Sequence, residues 1–177
     1  MTLQTIGSAV QRVMAALKRR PEMGLHADTS AVARWAGGTR FTTRNEAGIE
    51  VETDMPAELG GTGDRVTPGW LMRAGLASCA ATSITLVAAR EGIALTSLEV
   101  QVGSNSDTRG LLGLCDADGA PVHAGLFDVT LRVTIAASGV APAALQTLVE
   151  DCLRHSPVPC ALRASTPLAV DVHVTSV

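Results

Sequence analysis

From Thr67 to Gly92 the chain offers one long segment that resolves into a single element, and whatever fold forms must be arranged around it. Thr67 supplies a side-chain oxygen at an N-cap position, Pro68 suits the first helical turn, and Gly92 fits the position just past the end of a helix. The spacing predicts one helix over 68–91, about six turns long. The apolar run from Trp70 to Ala89 carries Arg73 and a scatter of Ser and Thr, so a helix buried in protein explains it better than a membrane span. Ala74, Gly75, Ala77, Ser78, Ala80 and Ala81 keep its surface thin enough for other elements to approach on most sides, which marks it as the central helix.

The remaining segments read as smaller units placed around that helix. Leu3, Ile6, Val10, Val13 and Leu17 fall at helical spacing and Pro21 ends the pattern, so residues 3–19 predict an amphipathic helix forming a peripheral arm. Residues 31–35, 39–44 and 49–53 read as short strands of a meander with a glycine turn at Gly37-Gly38, and 54–67 as a surface loop. Strict alternation predicts strands over 98–102 and 127–135, joined by a turn-rich connection in which Asp116–Gly119 suits a hairpin end. Pro142 opens a second helix whose apolar face is Leu145, Leu148, Val149, Cys152 and Leu153, and Ser156-Pro157 stops or kinks it. Val158–Arg163 suits a further helical turn, and Leu168, Val170, Val172 and Val174 alternate as a last strand. The order gives an α+β domain with helices stacked on an antiparallel sheet, over residues 31–177, preceded by a helical extension over 1–30.

Composition removes several classes of function. The 177 residues carry a formal charge of −3, 2% aromatic residues and no tyrosine, which leaves neither a basic footprint nor a stacking platform for nucleic acid, and nothing to hold an anionic membrane. At the N-terminus the basic cluster Lys18-Arg19-Arg20 follows the apolar residues, the reverse of a secretory signal, so the expected location is cytoplasmic.

Four cysteines in such a chain are packing residues, metal ligands or reactive thiols rather than a disulfide framework. Cys152, His155 and Cys160 have the spacing of half a zinc site, but no second ligand pair is visible, and no metal or cofactor is expected. Gly60-Gly61-Thr62-Gly63 lacks the Lys-Ser/Thr pair of a phosphate loop, and no G-x-S-x-G elbow is present. Cys79 sits mid-helix, beyond reach of the helix N-terminal dipole, so it is either a small buried residue or a thiol that needs a cation brought by tertiary structure. Thiol chemistry and plain binding remain.

Several motifs in order resemble the OsmC/Ohr family. Gly37-Gly38-Thr39-Arg40 resembles its glycine–arginine hairpin, and Asp54-Met-Pro-Ala-Glu-Leu-Gly-Gly61 its loop before the central helix. Thr67-Pro68, Leu71, Ala74 and Ala77-Ser78-Cys79-Ala80 are similar to its helix signature, Ala89–Leu95 and Leu98-Glu99-Val100 to the helix exit and next strand, and Ser156-Pro157-Val158 stands at its second motif. The resemblance implies an intertwined homodimer with two central helices between sheets and an interface pocket holding the first cysteine. In active members that cysteine reduces an organic hydroperoxide and a second one resolves it. Carried onto this chain, Cys79 is the attacking thiol, Arg40 its cation, Cys160 or an external thiol the resolver, and Trp70 and Ser156 the binding residues. Two positions depart from the pattern: Ser156 replaces the resolving cysteine, and Gly69-Trp70 replaces the glutamate after the proline. A non-catalytic dimer holding a small hydrophobic ligand is the alternative implied by those departures.

Overall fold

The computed structural model describes residues 2–164 and 166–175. Its elements are α1 (Leu3–Arg19), β1 (Val32–Gly37), β2 (Arg40–Arg44), β3 (Glu50–Thr53), α2 (Pro68–Arg90), β4 (Leu95–Asn105), α3 (Thr108–Leu111), β5 (Phe127–Ala137), α4 (Pro142–His155) and α5 (Pro157–Arg163). The caps follow the sequence logic. The Thr67 side chain accepts the backbone N–H of Trp70 at the start of α2, Thr2 does the same for Thr5 in α1, and proline opens α2, α4 and α5.

The core forms where α2 meets α4 and the β4–β5 ribbon. On α2 the buried residues Leu76, Ala80, Ile84 and Ala88 recur every four positions, one stripe of the helix. Ile84 packs with Leu148 and Cys152 of α4, and Leu98, Val100, Val133 and Ile135 close over that cluster from the ribbon. Burying an aliphatic side chain of this kind stabilises the fold by about 1.5–3 kcal/mol. By length and composition α2 could cross a membrane. Here it carries α1, β4, α4 and α5 on its sides, and Arg73 donates to Ser104 of β4 at 3.3 Å.

Three expectations are corrected. The helix expected as a peripheral arm is docked: α1 lies on α2, and the backbone of its buried Gly7 sits so close to the carbonyl of Ala89 that a Cβ there would stand 2.3 Å from the oxygen. The single antiparallel sheet is two, a three-stranded meander β1-β2-β3 and the ribbon β4-β5. The strand expected over 168–174 is not formed, and Leu168, Val170, Val172 and Val174 are between 74% and 90% exposed. Alternation supplies the two faces of a strand but not a ladder, and among the described residues this segment pairs with no strand edge. The connection before β5 also contains the short helix α3, capped by the Asp107 side chain, which alternation could not reveal.

The meander differs from the rest in what it touches. Among the described residues its strands pack substantially only on one another. Trp35 is 71% exposed, and Val32, Phe41, Ile49 and Val51 also show apolar surface to solvent.

Candidate functional site

Pro157 and its predecessor set the geometry of the site. A residue before proline is driven out of the helical region, so Ser156 takes φ −80° and ψ 124° and serves at once as the end of α4 and the start of α5. The resulting elbow lands on α2. The Ser156 side chain is wholly buried there, with its Oγ 3.4 Å from the Sγ of Cys79.

The hydrogen bonds around this contact have a direction. The Ser83 hydroxyl, one turn along α2 from Cys79, donates to Ser156 Oγ at 2.9 Å, so the Ser156 proton is free to be donated to the sulfur when Cys79 is a thiolate. The backbone N–H of Val158 donates to the same sulfur at 3.4 Å. Two donors converging on one half-buried sulfur suit an atom that carries or develops negative charge. Ser83 and the Val158 amide were not singled out in the sequence. Ser83 had a readable signal, since it lies four residues from Cys79 on the same face; the amide had none.

The other thiols lie elsewhere. Cys160 donates through Sγ to the carbonyl of Arg154 at 3.0 Å. Cys152 is in the core, where burial raises its pKa, and Cys115 is exposed. All four are free, and the half zinc motif is not gathered, since Cys152 and Cys160 face different surroundings. Trp70 is nine residues before Cys79 on the same helix, about 13.5 Å along the axis and on the opposite face. It is 47% exposed, and a single chain does not bring it to the sulfur.

Arg40 belongs to a second cluster, built around Asp54. That carboxylate is only 2% exposed and accepts from the Thr39 hydroxyl at 2.6 Å, the Thr62 amide at 3.0 Å and the Met55 amide at 2.8 Å. These donors, Thr39 first, hold its pKa far below the usual carboxylate range. The turn that wraps Asp54 admits no side chain at Gly61, where a Cβ would fall 1.8 Å from the Met55 carbonyl. Arg40 donates to Asp54 at 3.3 Å, to Thr62 Oγ1 at 2.8 Å and to Asp64. Its guanidinium is thus held by two carboxylates and makes no hydrogen bond to Cys79 of the same chain.

Two apolar clefts flank the sulfur site, and Cys79 and Ser156 are in the walls of neither. One, of about 720 Å³ between α2 and α4, has Ser83, Leu86, Leu148 and Pro157 in its lining. The other, of about 510 Å³, lies between Met72 and Leu76 of α2, Pro159 and Leu162 of α5, and β5.

A cysteine on a long central helix, with buried donors from a helical elbow and a separate arginine-bearing meander, defines an α+β protein organised around one thiol. Residues 61–171 match the family model described as OsmC-like protein, and the chain belongs to that family. No curated protein matches it significantly. Among solved structures, the chain is similar to an OsmC-like protein from Mycoplasma pneumoniae at 18% identity and a TM-score of 0.65, over 85% of this chain and 98% of that one. An organic hydroperoxide resistance protein from Elizabethkingia anophelis, with thiocyanate bound, aligns at 25% identity and 0.59, over 78% and 90%. The organic hydroperoxide resistance protein OsmC from Legionella pneumophila aligns at 23% and 0.54, over 78% and 91%.

Proposed function

We propose that this protein reduces organic hydroperoxides with Cys79 as the attacking thiol, in the cytoplasm and as a homodimer. The observation that carries the reading is the convergence of the Ser156 hydroxyl and the Val158 amide on the Cys79 sulfur, in a chain of this family. The thiolate of Cys79 attacks the distal peroxide oxygen, the O–O bond breaks, and the alkoxide leaves as the alcohol after taking a proton. The sulfur loses two electrons and becomes a sulfenic acid, and the peroxide gains them.

The dimer is supported by what a single chain leaves uncovered. Among the described residues, the apolar side of the meander is left exposed and the alternating segment 168–174 pairs with no strand. A second copy would cover the meander, close the pocket, and bring Arg40 and Trp70 to a Cys79 across the interface. In this reading residues 31–177 form the OsmC-like domain and residues 1–30 an extension to it.

The two apolar clefts favour one other reading, in which the dimer holds a small hydrophobic ligand without turnover. Peptide mass spectrometry of the reduced protein after brief cumene hydroperoxide treatment, with Cys79→Ser and Cys160→Ser as controls, separates the two. Oxidation centred on Cys79 is the expected result. An unmodified Cys79 beside an oxidised, exposed Cys115 would sink the peroxidase reading in favour of the ligand.

A further inference from the structure

Ser156 stands where a resolving thiol would have to stand. Its Oγ lies 3.4 Å from the Cys79 sulfur, its side chain is wholly buried, and because it accepts from Ser83 its own proton is free to be donated to a Cys79 thiolate. A hydroxyl in that place can hold a sulfur but cannot form a disulfide with it.

The remaining thiols are placed for other tasks. Cys160 lies one helical turn beyond Ser156, its amide donating to the Ser156 carbonyl at 2.9 Å while its thiol donates to Arg154 at the end of α4. Arg163 fastens the same end of α5 to α4 by donating to the Leu153 carbonyl at 2.8 Å. The Cys160 thiol is thus engaged with the end of α4, and the groups that touch Cys79 from this elbow are the Ser156 hydroxyl and the Val158 amide. Cys152 is locked in the core with Ile84 and Leu148, and Cys115 lies in the connection between β4 and β5.

Resting on the peroxide reading of Cys79, we propose that the chain runs a one-cysteine cycle, in which oxidised Cys79 is resolved by a thiol from outside the chain. The sulfenic acid formed with the first alcohol condenses with one external thiol, forming an S–S bond and releasing water. A second external thiol attacks that mixed disulfide, Cys79 leaves as thiolate, and the two external thiols depart as their disulfide. Two thiols thus supply the two electrons that the hydroperoxide consumes. Cys79 is half-buried rather than enclosed in the core like Cys152, which suits attack by a small thiol such as glutathione.

The test compares the wild-type protein with Cys160→Ser and Ser156→Cys, each treated with one equivalent of cumene hydroperoxide and mapped by peptide mass spectrometry. In the wild type and in Cys160→Ser alike, dimedone labels Cys79, glutathione forms a mixed disulfide there, and no disulfide joins two cysteines of the chain. In Ser156→Cys the introduced thiol closes on Cys79, and dimedone labelling falls by about tenfold or more. A Cys79–Cys160 disulfide in the wild type, abolished in Cys160→Ser, would overturn the one-cysteine cycle. So would an introduced thiol at 156 that stays free while Cys79 is oxidised. A Cys79 inert to hydroperoxide in all three proteins overturns the peroxide reading itself, and treatment of Ser156→Cys with diamide tells the cases apart by joining the two thiols without any peroxide.

Discussion

The Ser156 hydroxyl touches the Cys79 sulfur at 3.4 Å and accepts a hydrogen bond from Ser83 at 2.9 Å, so three side chains from α2 and the α4–α5 elbow share one chain of hydrogen bonds. Removing its middle member leaves Ser83 without its acceptor and the sulfur with one donor, the Val158 amide, instead of two. Ser156→Ala is expected to lower the unfolding free energy by about 1–3 kcal/mol, measured by urea denaturation at neutral pH. An unchanged midpoint would show that the Ser83 hydroxyl does not depend on Ser156.

Asp54 ties stability to acid. Its folded pKa is depressed by the Thr39, Thr62 and Met55 donors, so its contribution is complete above the unfolded carboxylate value of about 3.9 and is lost as the pH falls below it. Asp54→Asn presents an amide to the same donors. The variant is expected to be less stable at pH 7 and to show a shallower loss of stability between about pH 4 and pH 2, followed by thermal unfolding across that range. A parallel pH profile in the variant would remove Asp54 as the source.

Gly7 sets the distance between α1 and α2. In Gly7→Ala the new methyl group meets the Ala89 carbonyl, and the backbone on one side must move. The expected cost is about 1–3 kcal/mol, with amide exchange accelerated across Leu3–Arg19. Unchanged protection of α1 would mean that its docking tolerates a wider spacing.

The meander reports on assembly. The wild-type protein is expected to sediment at twice the 18.2 kDa chain mass, whereas Phe41→Asp, which puts a charge on the half-exposed apolar side of β2, is expected to sediment as a single chain. A wild-type protein that remains a single chain at every concentration would remove the proposed dimer.

Much of the scaffold could be read from local signals. Thr67-Pro68 and Gly92 bracket α2, Pro142 and Ser156-Pro157 bracket α4, and the alternation over 127–135 lies inside β5. These features depend on neighbours in sequence, and so they were legible. The final strand was not, because residues 168–174 show the period of a strand while lacking the ladder that defines one. For the site, the motif around Cys79 singled out the sulfur, and its surroundings came from the fold. Ser156 is 77 positions away in sequence, and the Val158 amide is a backbone group present at every residue except proline. The carboxylates on Arg40 were hidden for a related reason, since Asp64 reaches it only after the turn has closed around Asp54.

The meander β1-β2-β3 comes early in the chain, and among the described residues its strands pack substantially on no helix and no other sheet, while Thr39 and Arg40 tie it to the loop around Asp54. During synthesis its apolar side emerges before the central helix exists, and Trp35 and Phe41 stay exposed among the described residues of the single chain. If the proposed dimer covers that side, completion of the fold is a second-order event, with a rate that scales with the number of copies nearby. A cell making little of this protein would leave each chain waiting longer with Trp35 and Phe41 in water, and the waiting time, more than the depth of the finished core, would set its exposure to proteases and to aggregation.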